Sequence, residues 1–337
     1  MTRNPNNIQI KKPPILFTKT QALIEKIETS LNGDFLSYWI SSNGELTDED
    51  VMTFYKLLES KPNKETLFLY IKSDGGSGIG ALRIVNLLRT YYKDIVALIA
   101  GECASAATML ALGANVIKMG PLAFLSAIDT SITHDMSPID VKFNDKVSVS
   151  QNELDRVLKL WDQKVQKKDL NPYNSLYDFI HPLVFGSVDR ASSLSIQLTK
   201  DILSYHMDDT EKSKHISNHL NSAYPSHSYP ITLKEAQKVG LNAQNLGSEL
   251  NAKLLGLNEL YSEMAQRANT DFDEENYHDN EVLKIIEMSG QQFFYQQEKD
   301  WHYRRKERRY IPMNDDSSWR KAVLKDGQVD ISKFHVR

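Results

Sequence analysis

Residues 67–129 constrain the fold of this chain more than any other stretch. Short apolar runs alternate there with segments of helical spacing, and glycine-rich turns separate the two. A continuous apolar run predicts a buried strand, whereas apolar residues three and four positions apart predict a helix. Repeated strand–helix–strand units imply parallel strands joined by right-handed crossovers. The stretch therefore predicts an α/β fold.

Two turns in this stretch carry the candidate chemistry. The first follows the apolar run 67–71 and contains Gly75 and Gly76, and the second begins at Gly101 and leads to Ser105 at the start of a helix. Neighbouring parallel strands end at the same edge of a sheet, which is also the edge where ligands bind. We therefore expect the two turns to lie side by side.

Ser105 is the candidate nucleophile. A hydroxyl group at the first turn of a helix lies near unpaired backbone N–H groups and the positive end of the helix dipole. Gly75 and Gly76 would let backbone N–H groups approach the carbonyl that the hydroxyl attacks, because no side chain intervenes. We predict an oxyanion hole formed by Gly75, Gly76 and Ala106, with the N–H groups of Gly76 and Ala106 as its donors. Taken alone, a serine in an alanine-rich helix start also fits simple tight packing.

The residues around both turns resemble a known family. The segments SDGG (73–76), GECASAATMLALGA (101–114) and MGPLAFLSAID (119–129) look like those of Clp-fold serine peptidases. They are most similar to the serine dehydrogenase proteinase branch, which is related to the ClpP and SppA peptidases. The segment SAYPSHSYPITLKEAQKVGLN (222–242) extends the resemblance to about residues 16–265. Asp74 departs from the family, in which a proline usually pre-sets this turn.

The resemblance implies a ClpP/crotonase-like fold of repeated β-β-α and βαβ units with an inserted helical arm. It also implies a protein or peptide substrate, a homo-oligomer and no cofactor. ClpP carries its histidine about where this chain has Asp129, and its aspartate about where this chain has His227. We therefore expect a permuted triad in which His227 takes the proton from Ser105 and Asp129 orients the imidazole, because triads are defined by geometry rather than by chain order. A histidine in a turn and an aspartate capping a helix would fit the same two residues.

A lysine is the alternative base. SppA-type enzymes use a serine–lysine dyad, and Lys142 and Lys146 follow Ser105 at a plausible distance. A lysine acts as a base near neutral pH only when it is desolvated, yet the segment VKFNDKVS looks exposed. Histidine is therefore the leading expectation.

Composition narrows the function classes. Hydrophobic residues make up 41% and charged residues 25%, as in a soluble globular protein, and a net charge of -4 argues against nucleic-acid binding over the whole surface. The single cysteine, Cys103, excludes an internal disulfide and indicates a reducing compartment, so we expect a cytoplasmic location. His215 and His219 have the spacing of a helical metal pair, but no HExxH-type glutamate lies between them, and no metal site is expected.

The chain divides into three predicted parts. Residues 1–15 form a polar extension without the apolar block of a secretory signal, and residues 16–266 form the peptidase domain. Within that domain, residues 150–220 are predicted to form the helical arm, to which the resemblance gives a role in assembly. The apolar stretch 95–117 is interrupted by Glu102, so it predicts core rather than a membrane span.

Residues 267–337 are predicted to form a mainly helical C-terminal extension. Residues 269–280 are acidic and polar and indicate a linker or exposed loop, whereas the apolar spacing in 281–299 predicts a helix. Arginine and aromatic residues interleave in 301–310 and could bind nucleic acid, but packing against a partner protein or the body of the chain is the better interpretation.

The sequence therefore predicts a serine hydrolase, and more specifically a peptidase that forms an acyl-enzyme at Ser105. Two other function classes remain open. A crotonase-like enzyme shares this fold and uses paired N–H groups to hold a thioester enolate. A catalytically silent assembly subunit would use the arm and the C-terminal extension to recruit partners.

Overall fold

The computed structural model describes residues 9–59, 64–140, 145–164 and 171–334. The helices are α1 (Phe17–Glu28), α2 (Asp50–Glu59), α3 (Gly78–Tyr91), α4 (Ala106–Leu112), α5 (Gln151–Lys164), α6 (Pro172–Leu176), α7 (Pro182–Ser204), α8 (Thr210–Ser222), α9 (Leu233–Val239) and α10 (Ser248–Met264). The first strands are β1 (Asp34–Ile40), β2 (Thr66–Lys72), β3 (Asp94–Ile99), β4 (Glu102–Cys103), β5 (Val116–Met119) and β6 (Phe124–Leu125).

Shorter strands follow, and long strands return late in the chain. The short ones are β7 (Ser131–Ile132), β8 (Ile139–Asp140), β9 (Asp145–Lys146), β10 (Val149–Ser150), β11 (Ala243–Asn245) and β12 (Thr270–Asp271). The late ones are β13 (Asn276–Met288), β14 (Gln291–Arg304), β15 (Arg309–Asp315), β16 (Ser318–Lys325) and β17 (Gln328–Phe334).

One mixed sheet organises the described part of the chain. Its path is β11-β5-β3-β2-β1-β13-β14-β16-β17, with β12 beside β13 and β15 beside β14. The strands from β11 to β1 are parallel to one another, whereas β13 pairs antiparallel with β1. The predicted α/β class with parallel strands at its centre is confirmed.

Helices cover both faces of the parallel strands. One buried cluster packs α2, α3, α4 and α7 against the sheet through residues such as Leu57, Ile84, Leu110 and Ile202. The opposite cluster packs α1 and α10 through residues such as Ile24 and Leu257. Because both faces are covered, every residue of β1 is buried, which is why the parallel strands have continuous apolar sequences.

The predicted helix over residues 281–299 is wrong. These residues lie in β13 and β14, which form an antiparallel hairpin around Gly290, whose φ is 88°. The apolar spacing resembled a helix because β13 is buried on both faces, so apolar residues fall on both and the two-residue alternation disappears. The C-terminal extension is therefore a mainly antiparallel sheet, and residues 269–280, predicted as a linker or loop, contribute β12 and the start of β13.

The helices predicted within residues 150–220 are present as α5 to α8. Helix α7 packs against α3, α4 and α8, with Val188, Ile202 and Leu203 buried. The arm's role in assembly stays a prediction. Among the described helices, none combines the length and apolarity needed to cross a bilayer.

Candidate active site

The turn after β2 and the turn after β3 are bridged directly. The Ser73 N–H group donates to the carbonyl of Glu102 (3.1 Å), and the Ala104 N–H group donates to the carbonyl of Ser73 (2.9 Å). These bonds form a parallel bridge between Ser73 and Cys103. The two turns therefore lie side by side at the carboxyl edge of the sheet, as the sequence led us to expect.

Ser105 occupies a strained backbone position before α4. Its φ of 53° and ψ of -122° lie in a region that L-residues rarely adopt, at a cost on the order of 1 to 3 kcal/mol. A sharp strand-to-helix turn of this kind exposes a nucleophile at the top of a sheet. The Ser105 side chain makes no capping bond to α4. The hydroxyl is thus held at the helix start without being engaged by it.

A buried network of hydroxyl groups holds the strained turn. The Ser105 N–H group donates to Ser126 Oγ (2.8 Å), and the Ser126 N–H group donates to Thr108 Oγ1 (3.0 Å). The Thr108 hydroxyl in turn donates to the carbonyl of Cys103 (2.8 Å), and both Ser126 and Thr108 are buried. Sequence reasoning missed Ser126 and Thr108, because nothing in their local pattern shows that the fold brings them together.

Gly75 provides room for the nucleophile rather than a donor. Its φ is 120°, and a Cβ atom at this position would lie 2.6 Å from Ser105 Cβ. Its N–H group already donates to Ser73 Oγ (3.0 Å). A glycine is required here because any side chain would collide with Ser105.

The N–H groups of Gly76 and Ala106 remain available as donors. Gly76, with φ 137°, forms a parallel bridge with Leu46, but that bridge uses the carbonyl of Gly75 and the N–H group of Ser77. Ala106 is the first residue of α4, so its N–H group has no partner within the helix. Within the described ranges, neither N–H group donates to a protein acceptor.

A cavity of about 370 Å³ contains these groups. Gly76, Ser105, Ala106, Asp129 and His227 all line it. Its other walls include the apolar side chains of Ile79, Met109, Ile128, Leu194 and Leu198. The structure thus brings the predicted nucleophile, donors, histidine and aspartate to one volume.

His227 and Asp129 form a hydrogen-bonded pair, with His227 Nδ1 lying 2.8 Å from Asp129 Oδ1. The bond to Asp129 raises the pKa of His227, although partial burial opposes the shift. Burial alone would raise the pKa of Asp129, but hydrogen bonds from His227 and Asn152 outweigh it and lower that pKa. An ionised Asp129 can only accept, so Nδ1 carries the proton and Nε2 of a neutral His227 is a free base.

The alternative base Lys146 does not lie in the cavity with Ser105. Lys146 is on β9 in an exposed loop, where its Nζ pairs with Asp135 Oδ1 at 2.7 Å, and it does not line the cavity among the described residues. Lys142 lies outside the described residues. Cys103 is buried, its Sγ donates to the Ala107 carbonyl, and burial raises the pKa of its thiol, so it is not poised as a nucleophile.

Metal-ligating side chains do not cluster in the part of the chain that the structure describes. No group of three His, Cys, Asp or Glu residues is arranged there to hold an ion.

Part of the chain is similar to known proteins. Residues 15–152 match the family model described as Clp protease. The uncharacterized protein MJ0137 of Methanocaldococcus jannaschii is 25% identical over 228 residues, which span 67% of this chain and 70% of that protein.

Two solved structures are similar to the chain at 14% identity. One is a serine-to-alanine mutant of the 1510-N membrane-bound stomatin-specific protease, with a TM-score of 0.40, covering 71% of this chain and 88% of that one. The other is a lysine-to-alanine mutant of the same protease in complex with a substrate peptide, with a TM-score of 0.38 and coverage of 70% and 83%. The range that matches the Clp protease model, residues 15–152, contains Ser105 and both glycine turns.

Proposed function

We propose that this protein is a serine peptidase that cleaves peptide bonds by acyl transfer to Ser105. One observation carries the proposal: a strained Ser105 at a helix start shares a cavity with His227, whose Nδ1 is bonded to Asp129. The match to the Clp protease family supports the same reaction class.

In the proposed reaction, the hydroxyl of Ser105 attacks the substrate carbonyl while Nε2 of His227 accepts its proton. Asp129 holds the imidazole with its proton on Nδ1 and stabilises the imidazolium that forms. His227 then gives the proton to the leaving amine, which departs and leaves the acyl group on Ser105. Water activated by the same nitrogen hydrolyses the ester and regenerates the hydroxyl.

The N–H groups of Gly76 and Ala106 are the proposed oxyanion donors. Both residues line the cavity beside Ser105, and the positive end of the α4 dipole adds to their field. Fixed donors of this kind stabilise the charge that develops on the carbonyl oxygen in the transition state. Gly75 contributes by keeping the space next to Ser105 open.

The cavity walls favour an apolar side chain next to the scissile bond. Met109, Leu194 and Leu198 face the same volume as Ser105. An apolar substrate side chain would be desolvated there, at about 25 cal/mol for each Å² of apolar surface removed from water. We therefore propose that the substrates are peptides or proteins with an apolar residue at the cleavage site.

A serine-directed fluorophosphonate probe tests the nucleophile and the base. We expect the purified protein to be labelled, Ser105→Ala to abolish labelling, His227→Ala to reduce it strongly, and Lys146→Ala to leave it unchanged. Ser228→Ala is the matched control, because Ser228 is an exposed serine next to His227 whose hydroxyl bonds to Ser226 Oγ within the same turn. Absence of labelling at Ser105 would contradict the proposal and favour the crotonase-like alternative, whereas loss in Lys146→Ala would favour a serine–lysine dyad.

Homo-oligomerisation through the arm is part of the proposal. Large apolar side chains are exposed on α5, α7 and the segment between α6 and α7, and the most exposed is Phe179 at 79%. Large exposed apolar side chains in number on one part of a chain are typical of an interaction site. Light scattering should give a mass above 38.5 kDa, and Phe179→Ser should reduce it, whereas Tyr310→Ser in the C-terminal sheet should not.

A further inference from the structure

A buried charge pair joins β13 to the loop beside the candidate oxyanion hole. We call residues 41–50 the 41–50 loop; it runs from β1 to the start of α2. Lys284 of β13 extends into it, and its Nζ donates to Thr47 Oγ1 (2.7 Å) and Asp50 Oδ1 (2.8 Å). The Asp50 side chain is fully buried and that of Lys284 is only 8% exposed. Burial of two charges makes the pair dependent on both partners.

Asp50 has further partners that fix its position. Its Oδ2 accepts from the Tyr38 hydroxyl (2.5 Å) and from the Thr47 N–H group (2.8 Å). Charge-assisted bonds of this kind are about twice as strong as neutral ones. Lys284, Asp50 and Tyr38 together therefore set where the backbone of Thr47 lies.

The residue before Thr47 contacts the oxyanion turn, which we define as residues 75–77. The Leu46 N–H group donates to the Gly75 carbonyl (2.7 Å), and the Leu46 carbonyl accepts from the Ser77 N–H group (2.8 Å). A Cβ atom at Gly76 would lie 2.3 Å from the Leu46 carbonyl oxygen, so the two backbones are in direct contact. A displacement of the 41–50 loop would consequently move the Gly76 N–H group.

Other β13 residues hold the same loop. The Leu283 carbonyl accepts from the Ser41 N–H group (2.8 Å). The Glu281 carboxylate accepts from the Asn43 side chain (2.9 Å). With Lys284, these contacts fasten the 41–50 loop to β13 along most of its length.

We propose that β13 sets the position of the oxyanion turn through the 41–50 loop, with Lys284 as the positioning residue. This inference rests on the proposed peptidase function, because it assigns Gly76 as a donor to the reacting carbonyl. Lys284 lines no part of the cavity around Ser105 in the described structure, so it acts only through Thr47, Asp50 and Leu46. Oxyanion donors require accurate placement, and a misplacement of about 1 Å costs on the order of 100-fold in rate.

The proposal can be tested by removing both charges of the buried Lys284–Asp50 pair, so that neither charge is left buried alone. Lys284→Met alone would leave Asp50 ionised and unpaired, which is strongly destabilising. The double variant Lys284→Met/Asp50→Asn removes both charges, while the amide oxygen still accepts from Tyr38 and Thr47. Lys299→Met is the matched control, because Lys299 pairs with Asp315 in the same antiparallel sheet.

For the double variant we expect kcat for a peptide substrate to fall about 10- to 100-fold, with KM changed by less than about threefold. Affinity for a peptide aldehyde, which places an oxygen in the hole, should weaken by the same factor. The Ser105→Ala protein cannot cleave the peptide substrate, so binding of the intact peptide can be measured with it. That binding should be equally tight whether or not Lys284→Met/Asp50→Asn is added. If Lys284 had a purely structural role, the double variant would lower the fraction of active protein. It would not lower kcat and aldehyde affinity together while leaving KM and peptide binding unchanged. Lys299→Met should change none of these quantities.

Amide hydrogen exchange provides a readout that does not depend on activity. In the double variant we expect faster exchange at the N–H groups of Leu46 and Ser77 and unchanged exchange in β16 and β17. The proposed coupling between β13 and the oxyanion turn would be overturned by unchanged exchange at Leu46 and Ser77 together with a kcat within twofold of that of the unmodified protein. If the unmodified protein neither reacts with the probe nor cleaves peptides, the peptidase proposal fails; faster exchange would then still support the coupling, and unchanged exchange would overturn it.

Discussion

The main sheet has a parallel half and an antiparallel half. The two halves differ in whether their polar groups face a cavity or bond to neighbouring side chains. In the parallel half, β2 and β3 run into irregular turns where the N–H groups of Gly76 and Ala106 face a cavity. In the antiparallel half, tight turns at Gly290 and Gly327 connect the strands, and buried carboxylates such as Glu287 are bonded to several neighbours. Candidate reactive groups therefore collect where parallel strands end together, whereas the antiparallel strands support that part of the sheet.

The largest effect should come from the parallel half. Ser105→Ala removes the nucleophile, so we expect kcat to fall by roughly 10⁶-fold, as when one member of a catalytic triad is removed. Peptide hydrolysis and probe labelling measure the loss. The unfolding temperature should change by less than about 2 °C, because the substitution breaks no buried hydrogen bond. Retained hydrolysis would show that another residue is the nucleophile.

Asp129→Asn should have the next largest effect. An amide cannot hold the imidazole with its proton on Nδ1, and the wrong tautomer costs roughly 10⁴-fold in kcat. Steady-state kinetics measure this loss. Asp135→Asn is the control, since Asp135 pairs with Lys146 in an exposed loop, and an equal loss there would show that the aspartate at 129 has no special role.

Gly75→Ala should lower kcat by about 10²- to 10³-fold. The new methyl group would lie 2.6 Å from Ser105 Cβ, at a φ that favours glycine, and would displace the nucleophile from the N–H donors. Gly101→Ala is the matched control in the adjacent turn, because a Cβ atom there meets nothing within 4 Å. Similar activities of the two variants would show that the close approach of Gly75 to Ser105 does not matter.

The pH profile should show the pairing of His227 with Asp129. Because that bond raises the pKa of His227, kcat/KM should rise with pH through a midpoint above about 6.5, the ordinary value for histidine. The pair's contribution to stability has the opposite sign: it is complete below the unfolded pKa of about 6.5 and is lost as pH rises through the folded pKa. Asp129→Asn should lower the pH midpoint of kcat/KM. A midpoint that does not move would mean that a group other than His227 titrates.

The smallest effect on catalysis should come from Glu287 of β13, which bonds to α1 and α10 rather than to the 41–50 loop. Tyr261 donates to the buried Glu287 (2.7 Å), which also accepts from Thr20 and Gln292. Tyr261→Phe should lower the free energy of unfolding by about 1 to 2 kcal/mol and leave kcat unchanged. Denaturant unfolding measures the loss, with Tyr310→Phe as an exposed control. A fall in kcat would show that the contacts of Glu287 with α1 and α10 also affect the active site.

The parallel half could be predicted from the sequence because its signals are local. Continuous apolar runs, glycine turns and helical spacing each specify an element within a few residues. The proximity of His227 to Asp129 came from resemblance, since the two residues are far apart in the sequence. The hydroxyl network of Ser126 and Thr108 was missed because its bonds depend on tertiary proximity alone.

The antiparallel half was misread for a physical reason. Helical and doubly buried strand segments share the same apolar content, so periodicity did not separate them in residues 281–299. The turn signal was present as Ser289-Gly290, a dipeptide typical of a tight turn. Partners that lie far back in the sequence decide the outcome, since β13 gains its place by pairing with β1.

The pairing of β1 with β13 also affects the newly made chain. β1 is translated early, whereas the residues that pair with it at 284–287 are translated long after. Until then the nascent sheet has an open margin of unpaired amides and apolar side chains, the type of surface that binds chaperones or aggregates. A product that stops before residue 276 should therefore precipitate on expression.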